Sequence, residues 1–138
     1  MSYDGQITRY TFSQIDFGAG SNTLRHIIGP KGKKGQLYDY GCFGVTEAFA
    51  GDTSRPQMAI GTVSDADHYG EEFDFGTLAV AGGGKSIRTT YAQTDTGFDT
   101  NMLIRELPAD TVIMVTCVAA VGTPTGIADA FVDIVWDN

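Results

Sequence analysis

The last thirty residues constrain the fold most. Between residues 128 and 137 the chain alternates strictly: Ala130, Val132, Ile134 and Trp136 fall on one side, and Asp129, Asp133 and Asp137 dominate the other, with Phe131 and Val135 between them. A period of two with carboxylates on one side describes a half-buried β-strand whose wet face is acidic. An apolar, Val-rich run at 112–121 precedes it, and the Gly-Thr-Pro-Thr-Gly segment at 122–126 separates the two. That order predicts an antiparallel hairpin with its turn at 122–126.

The same pattern recurs upstream. Alternation predicts strands at 6–17, 24–28, 36–50, 57–63, 77–81, 87–91 and 100–107. In the 36–50 run it sets Leu37, Phe43 and Val45 on one face and Tyr38, Tyr40 and Cys42 on the other. The expected shared core is Trp136, Ile134, Val132, Val115, Ile113, Val45 and Phe43. Residues 64–76 hold the only candidate for a helical turn. Thr, Gly and Asp are plentiful while Lys and Glu are few, which favours strands and turns over helices. The fold expected is therefore all-β: an antiparallel β-sandwich of about eight strands. A chain of 138 residues fits one domain, 1–138, with a core of its own. Residues 29–35, Gly-Pro-Lys-Gly-Lys-Lys-Gly, read as a mobile basic loop.

Charge is split along the chain. Residues 1–36 carry five basic and two acidic side chains, a net of +3, and the rest carry four against fifteen, a net of −11. The acidic bulk repels nucleic acid and anionic membranes, so neither is expected as a partner. The basic portion, with Arg25, Lys31, Lys33 and Lys34, is the candidate surface for an acidic partner. Cys42 and Cys117 lie in apolar runs without CxxC spacing and read as reduced core residues. No apolar stretch approaches the length of a membrane span and no leader pattern is present, so synthesis in a cytoplasm is expected.

Catalytic and cofactor motifs are weak. Ala79 to Ser86 partly matches a phosphate-binding loop, but Ala79 replaces the first glycine and a strand-like run follows where a helix is needed. A glycine-rich hairpin tip accounts for it better. Asp65 and Asp67 resemble the start of a calcium loop, but the position of the bidentate acid is Gly76, and a solvated acidic loop is the simpler account. His26 and His68 are the only histidines, and neither stands at ligand spacing from a cysteine or from the other. No nucleophile-elbow signature occurs. The chain is accordingly expected to be no enzyme and to need no cofactor.

A set of strand and turn signatures suggests a family. Lys34-Gly35-Gln36-Leu37 opens a strand that runs through Val45-Thr46-Glu47-Ala48-Phe49. Then come Ile60-Gly61-Thr62, Asp65-Ala66-Asp67-His68-Tyr69, Leu107-Pro108-Ala109-Asp110-Thr111, the 122–126 segment and the Trp136 strand. Over residues 34–138 this resembles small virion structural proteins of tailed bacteriophages, of the capsid decoration or cement kind. The resemblance implies a compact β-sandwich, with a jelly roll among the arrangements it allows. It also implies a non-enzymatic protein that decorates or stabilises the capsid exterior. The major capsid protein would be its partner, homo-oligomers its working form and the capsid surface its location, after assembly in the host cytoplasm. The alternative is a fibre-type or carbohydrate-binding β-sandwich for host contact, since one fold serves all of these.

Overall fold

A computed structural model describes residues 3–54, 56–75, 78, 80, 84–90 and 106–137. Its strands are β1 (Tyr3–Asp16), β2 (Thr23–Ile27), β3 (Gly35–Ser54), β4 (Gln57–Gly61), β5 (Gly70–Asp74), β6 (Lys85–Ser86), β7 (Glu106–Leu107), β8 (Ile113–Val118) and β9 (Val121–Asp137). One helical turn, α1 (Ile87–Thr90), follows β6. Two antiparallel sheets pack face to face. The larger runs β1-β9-β3-β6, with the short β7 also on β3, and the smaller runs β2-β8-β4-β5. No helix among the described residues is long and apolar enough to cross a membrane.

The pairing rule identifies the architecture. With the two-residue β7 set aside, eight strands remain, and they pair first with last, second with seventh, third with sixth and fourth with fifth. The observed pairs are β1–β9, β2–β8, β3–β6 and β4–β5. This is a long antiparallel hairpin rolled up on itself, and the β3–β9 and β4–β8 ladders close it into two sheets. The sandwich is a jelly roll.

That topology overturns the expected closing hairpin. β8 and β9 lie in different sheets, and the chain crosses between them at Ala119 and Ala120. The crossing is held by Ala119 N–H to Asn22 Oδ1 at 3.0 Å and Ala120 N–H to Phe17 O at 3.0 Å. The 122–126 segment is no turn but the bulged start of β9, paired with the far end of β3. The expected inward set of β9 is correct: Ala130, Val132 and Ile134 are fully buried and Trp136 is 8% exposed. Its opposite face is drier than expected, because Phe131 and Asp133 are each only 4% exposed.

Phe43 is a second correction. The core takes Leu37, Tyr40, Cys42, Val45 and Phe49 from β3, and Phe43 stands on the outer face against Phe131, ring centres 5.9 Å apart. Strict alternation fails because the ladder shifts register between Leu37 and Asp39 and again between Phe43 and Glu47. Gly44 supplies the left-handed residue (φ 59°) for the second shift. Each bulge flips the parity of everything beyond it. Two local expectations also fail. The expected strand at 87–91 opens instead as α1, where Arg88 N–H donates to the Asp39 carboxylate at 3.1 Å. The candidate helical turn at 64–76 is a run of turns followed by β5. The strands expected at 77–81 and 100–107 fall mostly outside the described residues.

Candidate functional site

The basic loop is built on Trp136. Gly29 and Gly35 bracket residues 30–34, and both press against the indole. A Cβ at Gly29 would lie 2.2 Å from Trp136 Cη2, and one at Gly35 2.6 Å from Cε3. Glycine is required at both ends because the loop backbone lies directly on the ring. On its other side the indole Nε1–H donates to Tyr10 Oη at 3.0 Å. The loop is also tied through its backbone. Gly32 N–H donates to Asp110 Oδ1 at 2.8 Å, Lys33 N–H to Pro30 O at 3.1 Å, and Asp137 N–H to Lys34 O at 2.8 Å.

Lys31, Lys33 and Lys34 are therefore presented together, all exposed, at one end of the sandwich. Lys34 Nζ approaches Glu106 Oε1 at 3.6 Å, a pair with both side chains about half exposed. Among the described residues no carboxylate lies within ion-pair reach of Lys31 or Lys33. Beside the loop lies an apolar element that the sequence reading missed. Ile28 is 72% exposed and Val112 43%. Ile27 pairs with Ile113, so continuing the register by one residue sets Ile28 beside Val112. Both are bulky aliphatic residues with nothing to cover them within the chain. The sequence shows each of them next to a buried neighbour, but only the β2–β8 register brings them together.

Arg25 is set apart from the lysines. It lies on β2 opposite Val115, and its Nη1 donates to Leu24 O at 2.9 Å. Three residues of strand, about 10 Å, separate it from Ile28. The structure thus divides the four basic candidates into an end cluster of three and one edge residue.

Asp65 and Asp67 stay within their own loop. Asp65 Oδ2 lies 3.3 Å from His68 Nδ1, its N–H donates to Thr62 Oγ1, and its carbonyl accepts from Thr62 and His68 N–H groups. A hydrogen bond with the Asp67 side chain, and secondarily one with His68, holds the Asp65 carboxyl below its usual range. No cluster of three or more His, Cys, Asp or Glu side chains arranged to hold a metal occurs among the described residues. In the glycine-rich segment, Lys85 and Ser86 pair with β3, and Lys85 Nζ points to Phe75 O at 3.4 Å. The cysteines face the core, and burial pushes both thiols up to about 12, where no thiolate forms at neutral pH.

A second polar cluster covers the outer face of the larger sheet. Arg9 on β1 grips Asp133 with two bonds, Nε to Oδ1 at 2.7 Å and Nη2 to Oδ2 at 2.8 Å, while its guanidinium lies 4.2 Å from the Phe131 ring centre. Asp39 is the cross-strand partner of Asp133 and is 8% exposed. It accepts from Tyr40 N–H at 2.9 Å and from Arg88 N–H, while the Arg88 guanidinium stacks 3.9 Å from the Tyr38 ring centre. Burial, and secondarily the charge of Asp133, raises the Asp39 carboxyl above its usual value despite those hydrogen bonds. A shallow depression of about 180 Å³ adjoins the cluster, lined by Cys42, Phe43, Gly84, Lys85, Ser86 and Phe131. Its polar neighbours are engaged with one another, so the cluster fastens α1 and β1 to the sheet.

Asp39 has a measurable signature. Its folded carboxyl lies above the unfolded value near 3.8, so the protonated form is favoured by folding. Its stabilising contribution is complete below that value and is lost as pH rises through the raised one. Asp39→Asn retains an acceptor oxygen and removes the titration. Relative to the variant, wild type should gain stability as pH falls from neutral to about pH 3, measured by thermal melting. Parallel melting curves across that range would show that Asp39 titrates normally.

Comparison with known families, curated proteins and solved structures finds no match to this chain.

Proposed function

We propose that this protein is a non-enzymatic virion structural protein that binds the capsid exterior, docking on the major capsid protein through its lysine loop. The observation that carries the reading is the pairing of that loop with exposed Ile28 and Val112. Exposed ion pairs are individually weak and salt-screened, so a stable contact needs apolar area beside the charge. Here three lysines and two aliphatic side chains share one end of a rigid sandwich, and Trp136 holds the loop in shape. The sequence resemblance to decoration proteins supports the same reading. So does the jelly roll, a fold used by viral capsid domains, although lectins share it. The carbohydrate-binding alternative calls for exposed aromatics. The large hydrophobic side chains that stand exposed among the described residues are all aliphatic: Ile7, Leu24, Ile28, Val63, Val80, Val112 and Val121.

Replacing Lys31, Lys33 and Lys34 with Ser tests the proposal. Binding to empty capsids should weaken roughly threefold to a hundredfold at low salt, as three exposed ion pairs are lost, and its salt dependence should flatten. The circular dichroism spectrum should not change. Unchanged capsid binding at low salt would remove the loop from the contact.

A further inference from the structure

The two edges of the smaller sheet carry opposite charge. At one edge, β2 exposes Leu24, Arg25 and His26; at the other, β5 exposes Glu72 and Asp74, and the loop before it carries Asp65 and Asp67. Among the described residues β2 pairs only with β8 and β5 only with β4, so each presents an outward row of backbone donors and acceptors. We propose that the β2 edge of one copy docks against the β5 edge of a second copy of this chain, giving a head-to-tail assembly. Strand direction favours this arrangement. The four strands alternate, so β2 and β5 run in opposite directions. A second copy added in the same orientation places its β2 antiparallel to the first copy's β5, which is the ladder each strand already makes with its inner neighbour. The symmetric alternatives set basic edge against basic edge or acidic against acidic, at a repulsive cost. The contact falls at the regular end of β5, where Gln57 pairs with Asp74 and Met58 with Phe73, and avoids the register shift nearer Gly70. It leaves Lys31, Lys33 and Lys34 at the end of the sandwich free for another partner. A contact of this kind closes into a ring or continues as a filament.

The inference stands apart from the capsid reading, because it is tested on the isolated protein. Two variants are needed: Arg25→Glu with His26→Glu, and Glu72→Lys with Asp74→Lys. Sedimentation velocity at low salt should show wild type associating as its concentration rises and dissociating when salt is added. Each variant alone should self-associate at least about tenfold more weakly, because attraction becomes repulsion at the contact. An equimolar mixture should regain assembly, since the reversed edges complement one another as well as the unaltered ones do. A wild-type protein that stays monomeric at every concentration would overturn the proposal. So would variants that associate like wild type, or a mixture that fails to recover while both variants remain folded.

Discussion

Trp136→Ala should cost about 3–5 kcal/mol of folding stability, the range for truncating a large buried aromatic. The indole is 8% exposed, lies under Gly29 and Gly35, and donates to Tyr10. The two glycines cannot close the space, because they have no side chains and the loop between them is fixed elsewhere by Asp110 and Asp137. A loss of that size is a large part of a domain's usual 5–15 kcal/mol. Chemical denaturation measures it. Trp136→Phe keeps most of the volume and gives up the Nε1–H bond, so its loss should be smaller, with about 1 kcal/mol due to that bond. Hydrogen exchange supplies a second reading. With alanine at 136 the backbone N–H groups of Gly32 and Lys33 should exchange faster, since the surface beneath their loop is gone. A Trp136→Ala protein that melts like wild type would show the indole to be dispensable to the core.

The fold class was legible because parity survives wherever a strand is unbulged. β9 gave its inward set correctly from Ala130 to Trp136, and the core clusters Ile113, Val115 and Val45 with it. Parity failed in β3, where two register shifts separate Leu37 from Asp39 and Phe43 from Glu47, and no pattern of residue types announces them. The closing hairpin failed for a different reason. Adjacency in sequence is a fair guide to pairing in a meander, but a jelly roll pairs strands that are far apart, and only the ends of the roll are neighbours in the chain. The basic loop was visible as composition. Its anchoring was not, because the glycines at 29 and 35 look like signs of flexibility and instead mark close contact with an indole more than a hundred residues away. The Ile28–Val112 contact and the Asp39–Asp133 pair depend in the same way on register between distant strands.

Register also brings Arg9, Asp39 and Asp133 into line across three strands, and that cluster yields the second large effect. Arg9→Met should cost about 2–3 kcal/mol. Breaking a fully buried ion pair by removing one partner costs about 3–5 kcal/mol, because the remaining charge is left without compensation. The Asp133 side chain is only 5% exposed but that of Arg9 is 50% exposed, so water reaches the pair and the lower figure applies. The methionine keeps apolar contact with Phe131, so the loss reports mainly on the stranded carboxylate and on the cation–π contact. Asp133→Asn alone should cost less, about 1 kcal/mol, because a half-exposed guanidinium recovers hydration when its partner is neutralised. The double variant is the decisive one. With Met at 9, a neutral Asn at 133 no longer strands a charge beside Asp39, so Arg9→Met with Asp133→Asn should be more stable than Arg9→Met alone. Denaturant melts of the four proteins give the coupling directly. Losses that simply add would mean that Asp133 stays solvated in the folded chain and that Arg9 acts through packing on Phe131 alone.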